Sequence, residues 1–339
     1  MKTKLLDILI LIFIAVAVYA GPYTEIGING YIGDDHKHAN PLRDSDAAVN
    51  PIFRGWAMSF INYVPSDDEW LGDGIWNNPN KAFGPAKGDN YDVVSLGDLD
   101  EDEISQGKKP GEITLVFGNP QNENDSNHIR NVKGYDFAVF ENGGESVFSE
   151  LGFVEVSSDG IHFARFPSIS LTDSLMGPYG PIDVTDVYNL AGKHTNSYGI
   201  CTGTPFDLSE LANEPNVVNG LVDINNISYV RIVDIPGSGD FFDSQGHPIY
   251  DAWITWGSGG FDLDAVGVLK EQQYSADINL DGIVDGEDFS LFMSAWMSSF
   301  GDVNWIGRCD LAEPKDNFIN FRDYAVFASQ WNRTESWRD

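Results

Sequence analysis

The stretch from Asp277 towards the C-terminus repeats itself, and that repeat constrains the fold more than any other feature of the chain. A shift of 35 positions places Asp281 on Asp316, Ile283 on Phe318, Asp285 on Asn320, Asp288 on Asp323, Phe292 on Phe327 and Trp296 on Trp331. Such self-similarity marks one supersecondary unit used twice. In the first copy the acidic and amide residues alternate: Asp277, Asn279, Asp281, then Gly282, Ile283, Asp285 and Asp288. Loop positions 1, 3, 5, 9 and 12 thus carry side-chain oxygens, position 7 offers the Ile283 carbonyl, and glycine at position 6 permits a sharp turn. That is a Ca²⁺ ligand set, because calcium takes six to eight hard oxygens.

Each loop is followed by a helical pattern. Phe289, Phe292, Met293 and Trp296 fall at i, i+3, i+4 and i+7, and Tyr324, Phe327, Ala328 and Trp331 repeat the stripe. Two amphipathic helices of this kind can pack face to face. The aromatic stripe reads first as core and second as a partner contact. The second loop is less regular. On an ungapped register Ala312 and Pro314 stand at ligand positions, whereas two extra residues bulging out would bring Asp310 to the first position. Asp316, Asn320 and Asp323 keep their places, with the Phe318 carbonyl at position 7. Asn317 replaces the glycine, and asparagine tolerates the left-handed backbone better than most residues. One strong calcium site and one weaker site are expected.

With Asp rather than Glu at position 12 and no helix before the first loop, residues 277 to about 332 resemble a type I dockerin, a pair of loop–helix half-EF-hands. The resemblance implies calcium-dependent folding and docking onto a cohesin-bearing scaffold or cell-surface protein. In such modules loop positions 10 and 11 carry recognition. Here they are Gly286-Glu287 and Phe321-Arg322, so the two halves present different surfaces.

The other end of the chain begins with Lys2 and Lys4, continues as an apolar run from Ile8 to Val18, and reaches Val18-Tyr19-Ala20. This is the pattern of a cleaved secretory signal over residues 1–20. No later run is long and apolar enough for a membrane span. Export would allow Cys201 and Cys309 to pair, a possibility the sequence leaves open.

Between these ends the texture is strand and turn. Glu112–Phe117, Tyr135–Phe140, Gly152–Ser157, Ile161–Phe166, Tyr229–Ile235 and Leu263–Leu269 are rich in β-formers, and Ser158-Asp159-Gly160 marks a hairpin. A short helix is expected over Phe206–Ala212, with Asp207 or Ser209 near its start. Many short strands without alternating helices predict a mainly β fold, an antiparallel β-sandwich over 21–269. A polar spacer, 270–275, then leads to the helical module at 276–333. The run Asn78 to Gly97, ending in VSLG, the strand YDFAVFEN (Tyr135 to Asn142) and the run Gly257 to Val268 resemble the strands of galactose-binding-like jelly-roll domains. Such domains are common on secreted bacterial surface proteins.

Composition limits the partners. The chain has 52 Asp and Glu against 20 Lys and Arg, a formal net charge of −32. A surface this acidic repels phosphate backbones, so no nucleic-acid partner is expected. Hydrophobic residues at 42% suffice for a real core. No nucleophile elbow, HExxH helix or phosphate-binding loop is present. His36 and His38, close to the mature N-terminus, read as solvated, and Cys201 with His194 lacks an orienting group for thiol catalysis. Glu141, Asp240, Asp243, Asp251, Asp262 and Asp264 read first as turn acceptors with room for a structural calcium. A sugar-binding edge comes second and a glycosidase pair last. Carbohydrate stacking needs an exposed aromatic ring beside polar groups. Trp70, Trp76, Trp253 and Trp256 are the candidates, with Trp253 and Trp256 beside Asp251 the first choice. The expectation is a secreted, non-catalytic protein with a calcium-dependent docking module and a polysaccharide- or surface-contacting body. The alternatives are a polysaccharide-degrading hydrolase or lyase subunit of a cohesin–dockerin assembly and a purely structural surface component.

Overall fold

In the strand Tyr229–Asp234 buried and partly exposed residues alternate strictly, with Val230, Ile232 and Asp234 inward. The strands Phe137–Glu141, Gly152–Ser157 and Asp262–Leu269 are instead buried at every position, because protein covers both of their faces. These strands belong to two antiparallel sheets in the computed structural model, which describes residues 21–66, 74–122, 124–143 and 148–338. One sheet runs Ile28–Asn29, Ile200–Phe206, Phe137–Glu141, Asp262–Leu269, Phe53–Trp56. Asn196–Ser197 pairs onto Ile200–Phe206, and Val94–Ser95 onto the start of Asp262–Leu269. The other runs Ala164–Arg165, Gly152–Ser157, Tyr229–Asp234, Glu112–Val116, Ser59–Val64. Val139, Phe206, Leu263 and Val266 of the first sheet meet Ile113, Val154, Val230 and Ile232 of the second in one core. The fold is mainly β and antiparallel, as many short strands without alternating helices predict.

The expected hairpin is present, with Ala164 opposite Val156 and Arg165 opposite Glu155. Asp159 closes its turn by accepting the Ile161 and His162 amides, both at 2.8 Å. The expected helix at 206–212 is shorter, a 3₁₀ turn over Leu208–Leu211 capped by Asp207, followed by a separate turn over Pro215–Val218. Pro215 disfavours helical backbone at the residue before it, so the first turn cannot run into the second. The edge strands Phe53–Trp56 and Ser59–Val64 carry no clear alternation in the sequence. They form because neighbouring strands offer them backbone partners.

Beyond the last strand, Gln272 of the 270–275 stretch is buried and holds Tyr135 through both its backbone amide and carbonyl. Two helices follow, Gly286–Ser294 and Phe321–Gln330, each opened by a reciprocal capping box. Phe292 and Phe327 are buried between them with ring centroids 5.3 Å apart. Their unit rests on the β-rich body: Leu280 and Trp337 share a core with Ile28, Ile52, Phe53 and Phe140. Cys201 and Cys309 are separate, buried thiols. Residues 1–20, where the signal is expected, lie outside the described residues. Among those described, no helix is long and apolar enough to cross a membrane.

Candidate functional site

The first acidic loop is organised by its own backbone amides. Asp277 is fully buried; its Oδ1 accepts the Asp281 amide at 3.1 Å and its Oδ2 the Gly282 amide at 3.0 Å. Asp288, also fully buried, accepts Ile278 and Asn279 on one oxygen and Asp285 on the other. Asn279 and Asp281 accept the amides of Asp281 and Ile283. Gly282 has φ +90°, and a Cβ there would meet the Trp337 ring at 2.9 Å, so only glycine fits this corner.

The second loop repeats the arrangement. Asp323 accepts Leu311 and Ala312 on one oxygen and Asn320 on the other, as Asp288 does in the first loop. Asp310, 2% exposed, accepts the Asn317 amide, and its Oδ1 is buried without a hydrogen-bond partner among the described residues. Asn317 takes the glycine's left-handed place at φ +58°. Asp310 therefore aligns with Asp277, and the two extra residues lie between it and Asp316. Ala312 stands opposite Asn279 and supplies no side-chain oxygen. Asp316 is exposed and pairs with Arg322 at 2.6 Å, while the Phe318 carbonyl accepts Asn320 Nδ2.

The repeat extends to how the halves embrace. Ile283 bridges Thr334, and Phe318 bridges Ser299. Val284 donates to the Arg333 carbonyl and accepts from Asn332; Ile319 donates to Ser298 and accepts from Met297. Each contact maps onto its counterpart by the same 35-residue shift, as do the positive φ values of Met297 and Asn332. Each loop is thus clasped by the chain just beyond the opposite helix.

The donor set suits calcium: carboxylates, one amide oxygen in the first loop and a backbone carbonyl in each, all hard oxygen. Burial, then the charge of Asp288 and that of Asp281, push Asp277 up to about 8, with nearby Arg308 opposing. Burial likewise lifts Asp288 to about 6 against the pull of three amides. Carboxylates that raise one another in this way gain most from a divalent cation. Among the described residues no three His, Cys, Asp or Glu side chains meet at metal-ligand spacing. The loop carboxylates are spread over backbone amides instead.

In the β-rich body the aromatic candidates separate. Trp256 is 51% exposed. Trp253 is half-buried, with its indole N–H donating inward to the Leu99 carbonyl at 2.9 Å. Asp251 is 1% exposed and accepts the Leu151 amide, so its carboxylate does not border a surface ring. Trp70 lies outside the described residues. Trp76 stacks beside exposed Tyr91, centroids 6.4 Å apart, and approaches Gly257, the neighbour of Trp256. Trp76 and Tyr91 therefore form one aromatic pair, which lies close to the backbone next to exposed Trp256. Sequence reading missed Tyr91, whose exposure depends on the fold of the 89–92 turn.

The acidic candidates are mostly interior. Glu141, Asp262 and Asp264 are buried; Asp264 accepts the Lys87 and Gly88 amides and Asn196 Nδ2. Asp243 anchors a turn through Ser170, Gln245 and His247, and Asp240 accepts Ser238. Thiol catalysis gains no support. Burial pushes the Cys201 thiol up, and burial with Lys193 pulls His194 down to about 4. The His194 ring faces Thr204 and the Glu25 carbonyl.

No protein-family model matches the chain, and no curated protein or solved structure matches it either.

Proposed function

We propose that the C-terminal unit is a calcium-dependent, dockerin-like module that attaches the chain to a cohesin-bearing partner. The β-rich body is then a galactose-binding-like sandwich that presents Trp256, Trp76 and Tyr91 to a glycan at the cell surface or beyond it. The observation carrying this reading is the reciprocal clasp of two loop–helix units, in each of which the last loop carboxylate, Asp288 or Asp323, gathers the corresponding three amides. Calcium bound there would join the loop oxygens directly, so that its binding energy becomes part of the folding energy. The chain's own residues supply the rest. Asp288 and Asp323 fix the first turn of each helix, and Phe292 with Phe327 joins the helices. Phe289, Met293, Phe321, Tyr324 and Trp331 leave apolar surface exposed for a partner.

For the body, an aromatic face with its neighbouring carboxylates buried suits stacking on a sugar ring better than acid–base cleavage, which needs two reachable carboxyls. The test uses residues 21–339. Calorimetric titration should show calcium uptake, and binding to a panel of immobilised cohesins should vanish in EDTA. A chain that takes up no calcium would sink the docking reading. Incubation with insoluble polysaccharides should deplete the protein without releasing sugar, and Trp256→Ala should weaken that depletion about tenfold, the worth of one stacked ring. Released reducing sugar would replace the binding role with the enzymatic one.

A further inference from the structure

The two acidic loops are closed differently, and the difference leaves a cleft. At the first loop the Glu335 amide donates to the Gly282 carbonyl at 2.8 Å, and the Trp337 ring lies against that corner. The 35-residue shift pairs Glu335 with Phe300 and Trp337 with Asp302. Phe300 repeats the backbone bond, its amide donating to the Asn317 carbonyl at 3.0 Å. Asp302 is exposed and accepts the Ser299 amide within its own turn. The second corner thus lacks the counterpart of the Trp337 lid, and Phe300 stays 50% exposed. What opens there is a cleft of about 470 Å³ between the β-rich body and the C-terminal unit, with Asn317 on its wall. Small-molecule sites span ~300–1,000 Å³ and favour such junctions.

One wall of the cleft is aromatic. Tyr188 of the body, Tyr23 of the N-terminal strap, then Phe300 and Trp305 of the C-terminal unit follow one another, with ring centroids 5.1, 6.0 and 6.1 Å apart. Thr24 fastens the strap by donating to the Trp305 carbonyl at 2.9 Å. Polar groups face these rings. Glu210 accepts the Tyr188 hydroxyl at 2.8 Å and Asn189 Nδ2, both on Oε2. The stretch holding the two extra residues of the second loop contributes Glu313 and Lys315. Lys315 stands near enough to Asp207 and Asp310 to act on both carboxylates through its charge.

This lining selects a ligand class. Its carboxylates, Glu25, Asp207, Glu210, Asp310 and Glu313, outnumber its cations, Lys133, Arg308 and Lys315. Two of those cations are already held, Lys133 at the Gln273 carbonyl and Arg308 at the Asp277 carbonyl. An anion is therefore disfavoured. A wholly apolar ligand would strand the polar groups without water. Rings to lie on, with acceptors and amides around them, suit a molecule that has one apolar face and a rim of hydroxyls. We propose that the junction cleft binds a neutral mono- or disaccharide, its ring on the Tyr23–Phe300 wall and its hydroxyls on Glu210. The bound sugar touches body and C-terminal unit at once and so tightens their junction. The site shares no residue with Trp76, Tyr91 or Trp256, and it stands whether or not those rings meet a glycan.

The experiment uses the full chain in calcium, carrying Trp256→Ala so that the outer ring adds nothing. The probes are glucose, galactose, mannose, xylose, N-acetylglucosamine, cellobiose and lactose, read by saturation-transfer NMR and titration calorimetry. At least one should bind saturably at one site per chain. Phe300→Ala should weaken that binding about tenfold, the worth of one stacked ring, and Glu210→Gln by about tenfold or more, for a lost charged acceptor. Silence from the whole panel overturns the proposal, as does binding that both substitutions leave unchanged. Uptake of glucuronate or glucosamine in place of the neutral sugars overturns the ligand class. The parent supplies a variant-free check by hydrogen exchange. Saturating sugar should slow exchange of the Phe300 amide about threefold or more, and unchanged exchange there overturns the site. Calcium uptake and capture by cohesins are read separately and are untouched by any of these results.

Discussion

Asp136 and Asp159 are both acidic residues at turns, and their surroundings drive them in opposite directions. Asp136 ties the Val132 and Leu208 amides together at 2.8 and 2.7 Å, but burial outweighs those bonds and lifts its carboxyl to about 7. Partial burial opposes a drop at Asp159, yet the His162 side chain and the amides of His162 and Ile161 hold it well below the usual range. The signs of the linkage therefore differ. Asp136 has a raised folded pKa, so its contribution is full below about 4 and is lost as pH rises through about 7. Asp159 has a lowered one, so its contribution is present above about 4 and is lost as pH falls. In calcium-free buffer, Asp136→Asn should flatten the decline of the unfolding midpoint between pH 4 and 8, read by urea titration at each pH. Asp159→Ala should cost about 1–2 kcal/mol at pH 7 and much less at pH 2, for the loss of a charged turn acceptor. The turn role of Asp159 was legible from Ser-Asp-Gly. The burial of Asp136 was not, because it arises from segments far away in the chain.

At the scale of the element, the two loops share a backbone pattern and differ in their side chains. Arg322, at position 11 of the second loop, donates to Asp316 and to the Pro314 carbonyl. The second loop therefore carries its own cation next to a ligand position, and it lacks the side-chain oxygen that Asn279 gives the first. Arg322→Ala should strengthen calcium binding at the second loop by about threefold to tenfold, the modest worth of an exposed pair, and leave the first loop unchanged. Titration calorimetry on the Asp277→Asn background isolates that site. The irregularity of the second loop was legible from Ala312 and Pro314. The competing arginine was not, because position 11 says nothing about which way a side chain turns.

For the whole molecule, the decisive contacts lie where the C-terminal unit meets the body. Glu335, 1% exposed, accepts the Gln273 and Tyr274 amides, and Arg308 lies over the Tyr135 ring at 5.4 Å. Trp337 enters the body's second core, and Arg338 reaches Asp281 at 3.1 Å. The tail beyond residue 333 thus closes both the first loop and the junction. In calcium, thermal unfolding should follow one coupled transition. Trp337→Ala should lower stability by about 3 kcal/mol, the usual cost of deleting a buried indole, and split the scan into two steps. Two independent steps already present in the parent would show that the junction contributes little.

The sequence by itself determined what depends on short-range pattern: the strands rich in β-formers, the Ser-Asp-Gly hairpin, the repeated acidic loops and their amphipathic helices. Periodicity and ligand spacing are local properties, so they survive without knowledge of the fold. Tertiary structure alone decided which carboxylates lost water and partners together, which aromatic rings kept a face to solvent, and how the tail locks the two parts. Those outcomes depend on segments brought together from across the chain. Asp264 beneath the Lys87 and Gly88 amides, and Trp76 beside Tyr91 and Gly257, acquire their character only when the sheets close and water is excluded.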